Sequence, residues 1–438
     1  MSNDQDERAY EQQMQWSLGE VEGGEVPPDV TERVLATVEP DDQAMHAPIA
    51  RSRWLMTAAI VTLGVAALFG VHSLSSKQDD LNKTTSPTVQ EPTSHVVNKP
   101  EDVAKLSDKT RAVTVVRQSD DVLQAIAERC PKLEKLHVTE IGSQDDLVTD
   151  RIFAIAASLP ELRYLLLVST DNVTGEGVEQ LAALPRLETL AIALTRLRPE
   201  AYEVLPTLPS LRVLDLTYDE GLDDDAMKAI VRCPGLRQLS IPNCNGLTSA
   251  GLALATQIPH LEVLEISGLK CSWNLFGNRQ PKQLRVLAAA NTNFRNEHLD
   301  WLPQSLTELN LSNTSADADT CRILTKLVRH LHKLSLSGCD IQDVGVSMLT
   351  SFEELHELDL TNASFTKVGL ADLVQMDQLC ELKISKLQWL TEAHVAPLMA
   401  VGINVHISRV ERPDSLLREL RYKHRHAIKA RRDRFMKR

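Results

Sequence analysis

Aromatic residues are scarce in this chain: 7 phenylalanines, 5 tryptophans and 5 tyrosines among 438 residues. Such rings dominate the cores of ordinary domains, so the two or three globular domains that this length would suggest do not fit. Cysteine is sparse too. The 7 thiols are odd in number and contain no Cys-x-x-Cys pair, which excludes a closed disulfide framework and a zinc ribbon. Catalytic signatures are missing: there is no Gly-x-Ser-x-Gly, no His-Glu-x-x-His, no phosphate loop and no dinucleotide fingerprint, motifs that mark common hydrolases and nucleotide enzymes. The sequence therefore reads as no enzyme, with no cofactor and no metal site.

What it has in excess is leucine, 64 residues, and acid. A formal charge of -13 argues against nucleic acid as the partner of the whole chain, because phosphate backbones need a basic surface. The charge is unevenly spread: residues 1–50 hold 12 acids and 2 bases, whereas residues 408–438 hold 4 acids and 12 bases. Such asymmetry points to segments with different partners.

Long apolar runs are limited to one. Trp54–Leu74 carries no formal charge and includes Leu55, Ile60, Val61, Leu63, Val65, Leu68, Phe69 and Val71. As a helix it would be roughly 31 Å long, matching a hydrocarbon core of about 30 Å. We expect a transmembrane helix within 51–74. Arg51 and Arg53 precede it, while Lys77 is opposed by Asp79 and Asp80; the Lys/Arg bias puts the N-terminus in the cytoplasm and the rest outside, periplasmic or extracellular. A signal peptide translated from Met45 and cleaved after Val71-x-Ser73 is the competing reading of this run.

Around the span lie two polar stretches. Residues 1–50 form an acidic leader with two short helical patterns, around Met14, Trp16 and Leu18 and around Val30, Val34, Leu35 and Val38. Gly23-Gly24 followed by Pro27-Pro28-Asp29 resembles the cytoplasmic leaders of planctomycete-type bacterial membrane proteins; a disordered tail is the alternative. Residues 75–110, rich in Ser, Thr, Pro and Lys, read as a linker.

From Leu133 one pattern recurs, Leu-x-x-Leu-x-[Leu/Ile/Val], with first leucines at 133, 162, 187, 211, 236, 261, 284, 306, 331, 355 and 379. Ten intervals cover 246 residues, a mean period of 24.6. Each motif is a short strand with leucines pointing into the molecule and the residues between them pointing out. The second half of most repeats reads as a helix with a Thr, Ser or Asp cap. Residues 111–116 and 404–407 read as flanking strands. Cys130-Pro131, Cys233-Pro234, Cys244, Cys339 and the segment 246–252 resemble the cysteine-containing, ribonuclease-inhibitor-like class of leucine-rich repeats. Thr170, Thr195, Thr292 and Thr314 stand where that class has its internal cysteine. The resemblance implies an α/β leucine-rich-repeat solenoid, a horseshoe with a parallel concave sheet and convex helices, over residues 111–407. Its pattern lapses at 270–283, around Trp273 and Phe276. The cysteines then read as buried packing groups.

On the concave face the outward positions include Lys135, His137, Tyr164, Asp215, Glu265, Glu308, Asn310, Lys333, Glu357, Asp359, Glu381 and Lys383. Acids outnumber bases, so the expected partner is a basic or polar protein. Asp223-Asp224-Asp225 could ligate a metal but falls at a helix start, where capping is the better reading. The tail, with Leu417, Leu420, Ile428 and Phe435 on one stripe, fits an anionic surface or a cap on the last repeat; His424 and His426 belong to that basic helix. These features suggest a membrane-anchored interaction module, perhaps best described as a receptor or transducer. The rival is a soluble adaptor resembling substrate-recognition subunits of ubiquitin ligases, without a recognisable F-box.

Overall fold

The computed structural model describes residues 95–140, 148–170, 172–195, 197–271 and 281–408. The expectations for the acidic leader, the apolar run, Trp273, Phe276 and the basic tail lie outside them. Among the described residues no helix is long and apolar enough to cross a membrane.

The chain divides into two compact units, with the boundary between Ser315 and Ala316. In the first, strands β1 (His95–Val97), β2 (Ala112–Val116), β3 (Lys135–Thr139), β4 (Tyr164–Val168) and β5 (Thr189–Ala193) are followed by β6 (Val213–Asp215), β7 (Gln238–Ser240), β8 (Val263–Glu265), β9 (Val286–Ala288) and β10 (Glu308–Asn310). All neighbours pair parallel and in chain order. The motif sets the register. Leu136, Leu165, Leu190, Leu214, Leu239 and Leu264 are Cα partners in turn, and each is buried. A one-residue slip would turn this leucine row out to water, which is why the register is strongly specified.

Helices α1 (Asp120–Arg129), α2 (Arg151–Ala157), α3 (Pro199–Tyr202), α4 (Asp224–Ile230) and α5 (Ser249–Ala255) connect strands of this unit. The expectation of an α-helix in most repeats needs correcting. Val178–Ala183, Leu205–Thr207 and Asn296–Trp301 are tighter 3-10 turns. Their physical causes are local: Gly177 enters the first with φ 86, Pro206 sits in the second, and the third belongs to a repeat of only 22 residues between leucines. The linker assignment also shifts. β1 and the 3-10 turn Pro100–Lys105 lie within 75–110, a segment whose Val96-Val97 is too short to show a strand period.

The second unit repeats the plan with β11 (Lys333–Ser335), β12 (Glu357–Leu360), β13 (Glu381–Ser385) and β14 (Asn404–Ser408), again parallel and in order. Its helices are α6 (Ala318–Leu327), α7 (Gln342–Leu349), α8 (Lys367–Asp372) and α9 (Glu392–Ala400). Leu334, Leu358, Leu382 and Val405 continue the same kind of row.

Two devices tie each repeat to the next. Just past the strands, one residue per repeat adopts the left-handed conformation: Ser169, Leu194, Tyr218, Asn243, Asn291 and Asn313 in the first unit, Gly338 and Asn362 in the second. Such a φ is unfavourable for Leu and Tyr; here the turned N–H of Leu194 donates to Thr217 O at 2.9 Å and that of Tyr218 to Pro242 O at 3.0 Å. The second device is a carboxylate at or beside a helix start that accepts from a threonine one repeat later. Asp120 takes the N–H and hydroxyl of Thr149 at 3.1 and 2.6 Å, and Asp150 those of Thr174 at 2.9 and 2.7 Å. Asp224 takes those of Thr248 at 2.9 and 2.5 Å, and Asp343 those of Thr366 at 2.7 and 2.6 Å.

Candidate interaction face

The outward strand positions fall into columns because in-register parallel strands place equivalent side chains roughly 4.8 Å apart. In the first unit the basic end of one column is Lys135, whose Nζ lies 4.9 Å from the ring centroid of Tyr164. Arg163 approaches the same ring at 5.8 Å and forms a two-point contact with Glu188, Nη2 to Oε1 at 2.8 Å and to Oε2 at 2.9 Å. Tyr164 is thus a half-buried aromatic held by two cations. Burial raises its phenol pKa, against the lowering effect of Arg163.

His137 and Asn310 are buried, at 2% and 5% exposure, although their strand positions point out. His137 stands between Thr114 and Leu166 in register, and neither ring nitrogen has a hydrogen-bond partner; burial pushes its pKa down to about 4. Asn310 turns its Oδ1 back to accept from the N–H and hydroxyl of Ser312 at 2.9 and 2.6 Å. Asp215 does the same with Thr217, at 2.9 and 2.5 Å. Burial raises the Asp215 pKa, with those two bonds opposing. Glu265 accepts from the Ser240 hydroxyl at 2.9 Å. Glu308 is the outward residue that opens β10.

In the second unit the five named residues share three adjacent strands. Lys333, Glu357 and Glu381 are Cα partners in one column, and Asp359 and Lys383 in the next. Lys333 Nζ is 3.5 Å from Glu357 Oε2. Asp359 Oδ1 accepts from Thr361 N–H at 2.8 Å, and Glu381 contacts Asn404 at 3.2 Å and His406 Nε2 at 2.5 Å. The face is a lattice of alternating charge with three carboxylates and two ammonium groups.

The cysteines at 130, 233, 244 and 339 are buried, and all seven are free thiols. Cys244 Sγ donates to Leu216 O at 3.1 Å, and Thr292 and Thr314 hydroxyls donate to Ala289 O and Leu311 O, each at 2.7 Å. These positions serve the same turn. Burial pushes Cys233 and Cys321 up to about 12, the opposite of what a nucleophile needs. Asp223 caps α4, accepting from the N–H groups of Asp225 and Ala226 at 3.0 and 2.9 Å, while its neighbour Asp224 makes the inter-repeat bond given above.

Sequence reasoning missed two groups. Asp219 occupies the internal position held elsewhere by Thr or Cys and is fully buried. Four side chains at the start of β11 and β12, His330, His332, Glu354 and His356, gather at one edge. Both were detectable only as residues of unusual type at equivalent repeat positions.

Among solved structures the chain is similar to an internalin from Listeria monocytogenes, at 15% identity with a TM-score of 0.44, covering 77% of this chain and 90% of that one. It is similar to a leucine-rich-repeat protein of Leptospira interrogans at 15% identity and a TM-score of 0.41, over 70% of this chain and 81% of that one. A third likeness is to TLR13 in a complex with a single-stranded RNA, at 15% identity and a TM-score of 0.45; this chain matches over 72% of its length and spans about half, 49%, of that protein. No curated protein matches the chain. Residues 329–349, which include His330, β11 and most of α7, match the family described as "Leucine Rich repeat".

Proposed function

We propose that this chain is a membrane-anchored protein-interaction module whose outward sheet face binds a basic or polar protein. The observation that carries the reading is the placement of Glu357, Asp359 and Glu381 on adjacent, hydrogen-bonded strands. A sheet already held in place presents these groups with little ordering cost on binding. Tyr164, flanked by two cations, supplies the kind of anchor that interface hot spots use. Carboxylates in the majority oppose a phosphate backbone, which speaks against nucleic acid as the ligand.

Trp54–Leu74 would be the anchor, with the acidic leader facing a cytoplasmic partner and the repeats beyond the membrane. Signal transduction across that span follows from the same arrangement. Two experiments test the reading. Charge reversal of Glu357, Asp359 and Glu381 in the full chain should abolish capture of a partner identified by cross-linking; unchanged capture would move the site off this face. Membrane fractionation with protease protection of terminal tags should place the C-terminal tag outside the cytoplasm. A soluble product would favour the adaptor reading instead.

A further inference from the structure

Away from the outward face, one edge of the second unit gathers three imidazoles and a carboxylate. The repeat itself puts them there. His330 and His332 flank Leu331, and Glu354 and His356 flank Leu355, one repeat later. Both leucines are buried, so the flanking side chains are turned to the surface. The backbone holds the pair of repeats in step, His356 N–H donating to His332 O at 2.8 Å.

The side chains already touch. His330 Nδ1 is 3.0 Å from Glu354 Oε1, and His332 Nε2 is 3.4 Å from Glu354 Oε2. The His332 and His356 rings meet edge to face, their centroids 5.3 Å apart. Hydrogen bonding from His330, then the nearby imidazoles, lowers the Glu354 pKa. An ion pair would stabilise little at such an exposed site, so stability gives no reason to gather three histidines around one acid.

We propose that His330, His332, Glu354 and His356 bind one divalent transition-metal ion of the zinc class. Imidazole nitrogen and carboxylate oxygen are the ligands zinc takes at about 2.0–2.2 Å. Two ligands of a tetrahedral ion at that distance lie roughly 3.3 Å from each other. The nitrogen–oxygen separations of 3.0 and 3.4 Å are of that size, so the ion replaces the protons that now bridge the groups. Among the described residues no three such side chains already converge as a bound metal would draw them. His332 and His356 therefore turn about their side-chain torsions on binding, which surface rotamers allow. Arg329 and Lys333 adjoin the site in sequence and oppose a cation; Glu354 offsets one charge, and Lys333 is drawn to Glu357 at 3.5 Å. Cys380 follows His356 in the same column, its N–H donating to His356 O at 2.8 Å, and is outside the proposed set.

The test is titration of the purified full chain with zinc, and with cobalt(II), whose visible absorption reports tetrahedral coordination. One ion per chain is expected. His332→Ala, His356→Ala and Glu354→Gln should each weaken binding about tenfold or more, since even supporting residues of metal sites matter by 10–100-fold, with circular dichroism unchanged. Cys380→Ser and the double variant His424→Ala/His426→Ala should retain full affinity. Binding only at millimolar zinc, no tetrahedral cobalt signal, or affinity unaltered by His332→Ala and His356→Ala would overturn the site. Loss of binding in either control would overturn the ligand set.

Discussion

The Tyr202 hydroxyl donates to Asp219 Oδ2 at 2.5 Å, across 17 residues and deep inside the first unit. The other carboxylate oxygen accepts from the N–H groups of Gly221 at 2.9 Å and Leu197 at 3.3 Å. Asp219 therefore does three repeat-binding jobs where neighbouring repeats use a threonine or cysteine.

Burial pushes the Asp219 pKa up to about 6, only partly countered by the Tyr202 hydrogen bond. A raised acid pKa means that the folded state holds the proton more tightly, so stability falls as pH rises from about 4 to 6 and stays reduced above it. A shift of that size corresponds to roughly 3 kcal/mol. Asp219→Asn keeps an acceptor for the two N–H groups and offers Tyr202 a donor. Denaturant melts should show this variant losing that pH dependence and matching or exceeding the parent at pH 7.5.

His137 should respond in the opposite sense. Its folded-state pKa, about 4 against an ordinary 6.5, favours the neutral ring, so its contribution is full above the unfolded value and lost as pH falls from about 6.5 toward 4. His137→Leu, which continues the apolar surface of Leu166, should remove roughly 3 kcal/mol of acid sensitivity. Parallel melts at pH 7.5 and 4.5 read the difference; equal slopes for parent and variant would refute it.

The aspartate–threonine bonds between repeats can be measured singly. Asp343 is desolvated, which raises its pKa, but the Thr366 hydroxyl and the N–H groups of Thr366 and Gly369 outweigh that and leave it lowered. Its stabilisation is present above the unfolded carboxylate value and disappears as pH drops through the folded one. Asp343→Ala should destabilise the second unit by about 1–2 kcal/mol at neutral pH, seen as faster amide exchange in α8.

Close packing of successive repeats leaves no room at Gly221. A Cβ there would lie 2.1 Å from the Leu197 carbonyl oxygen, a backbone atom that cannot swing aside. Gly221→Ala should lose at least about 2 kcal/mol. Gly402→Ala is the comparison: a Cβ there meets nothing within 4 Å, so its penalty comes only from the positive φ of 97.

Strand positions were readable directly from the chain. Leu-x-x-Leu-x-Leu is a period-two signal with a 24.6-residue spacing, and burial of Leu136, Leu165 and Leu190 in one row follows from side-chain alternation alone. Helix type was less readable, because whether residues 178–183 or 296–301 close as α or 3-10 depends on how much chain bridges two strands. Among the outward residues, Lys333, Glu357 and Glu381 could be placed in one column from spacing. That His137 and Asn310 would be shut away from water could not.

What the sequence by itself determined is the repeat: which leucines point in, which residues alternate out, and where each turn falls. Tertiary structure decided what residues some 24 positions apart do to one another. Asp219 meets Tyr202, Asp224 reaches Thr248, and His330, His332 and His356 gather about Glu354 only once consecutive repeats stack at strand spacing. The reason is physical: periodicity is a property of local backbone geometry, whereas hydrogen bonding and proton affinity depend on which groups of the adjoining repeat come within about 3 Å.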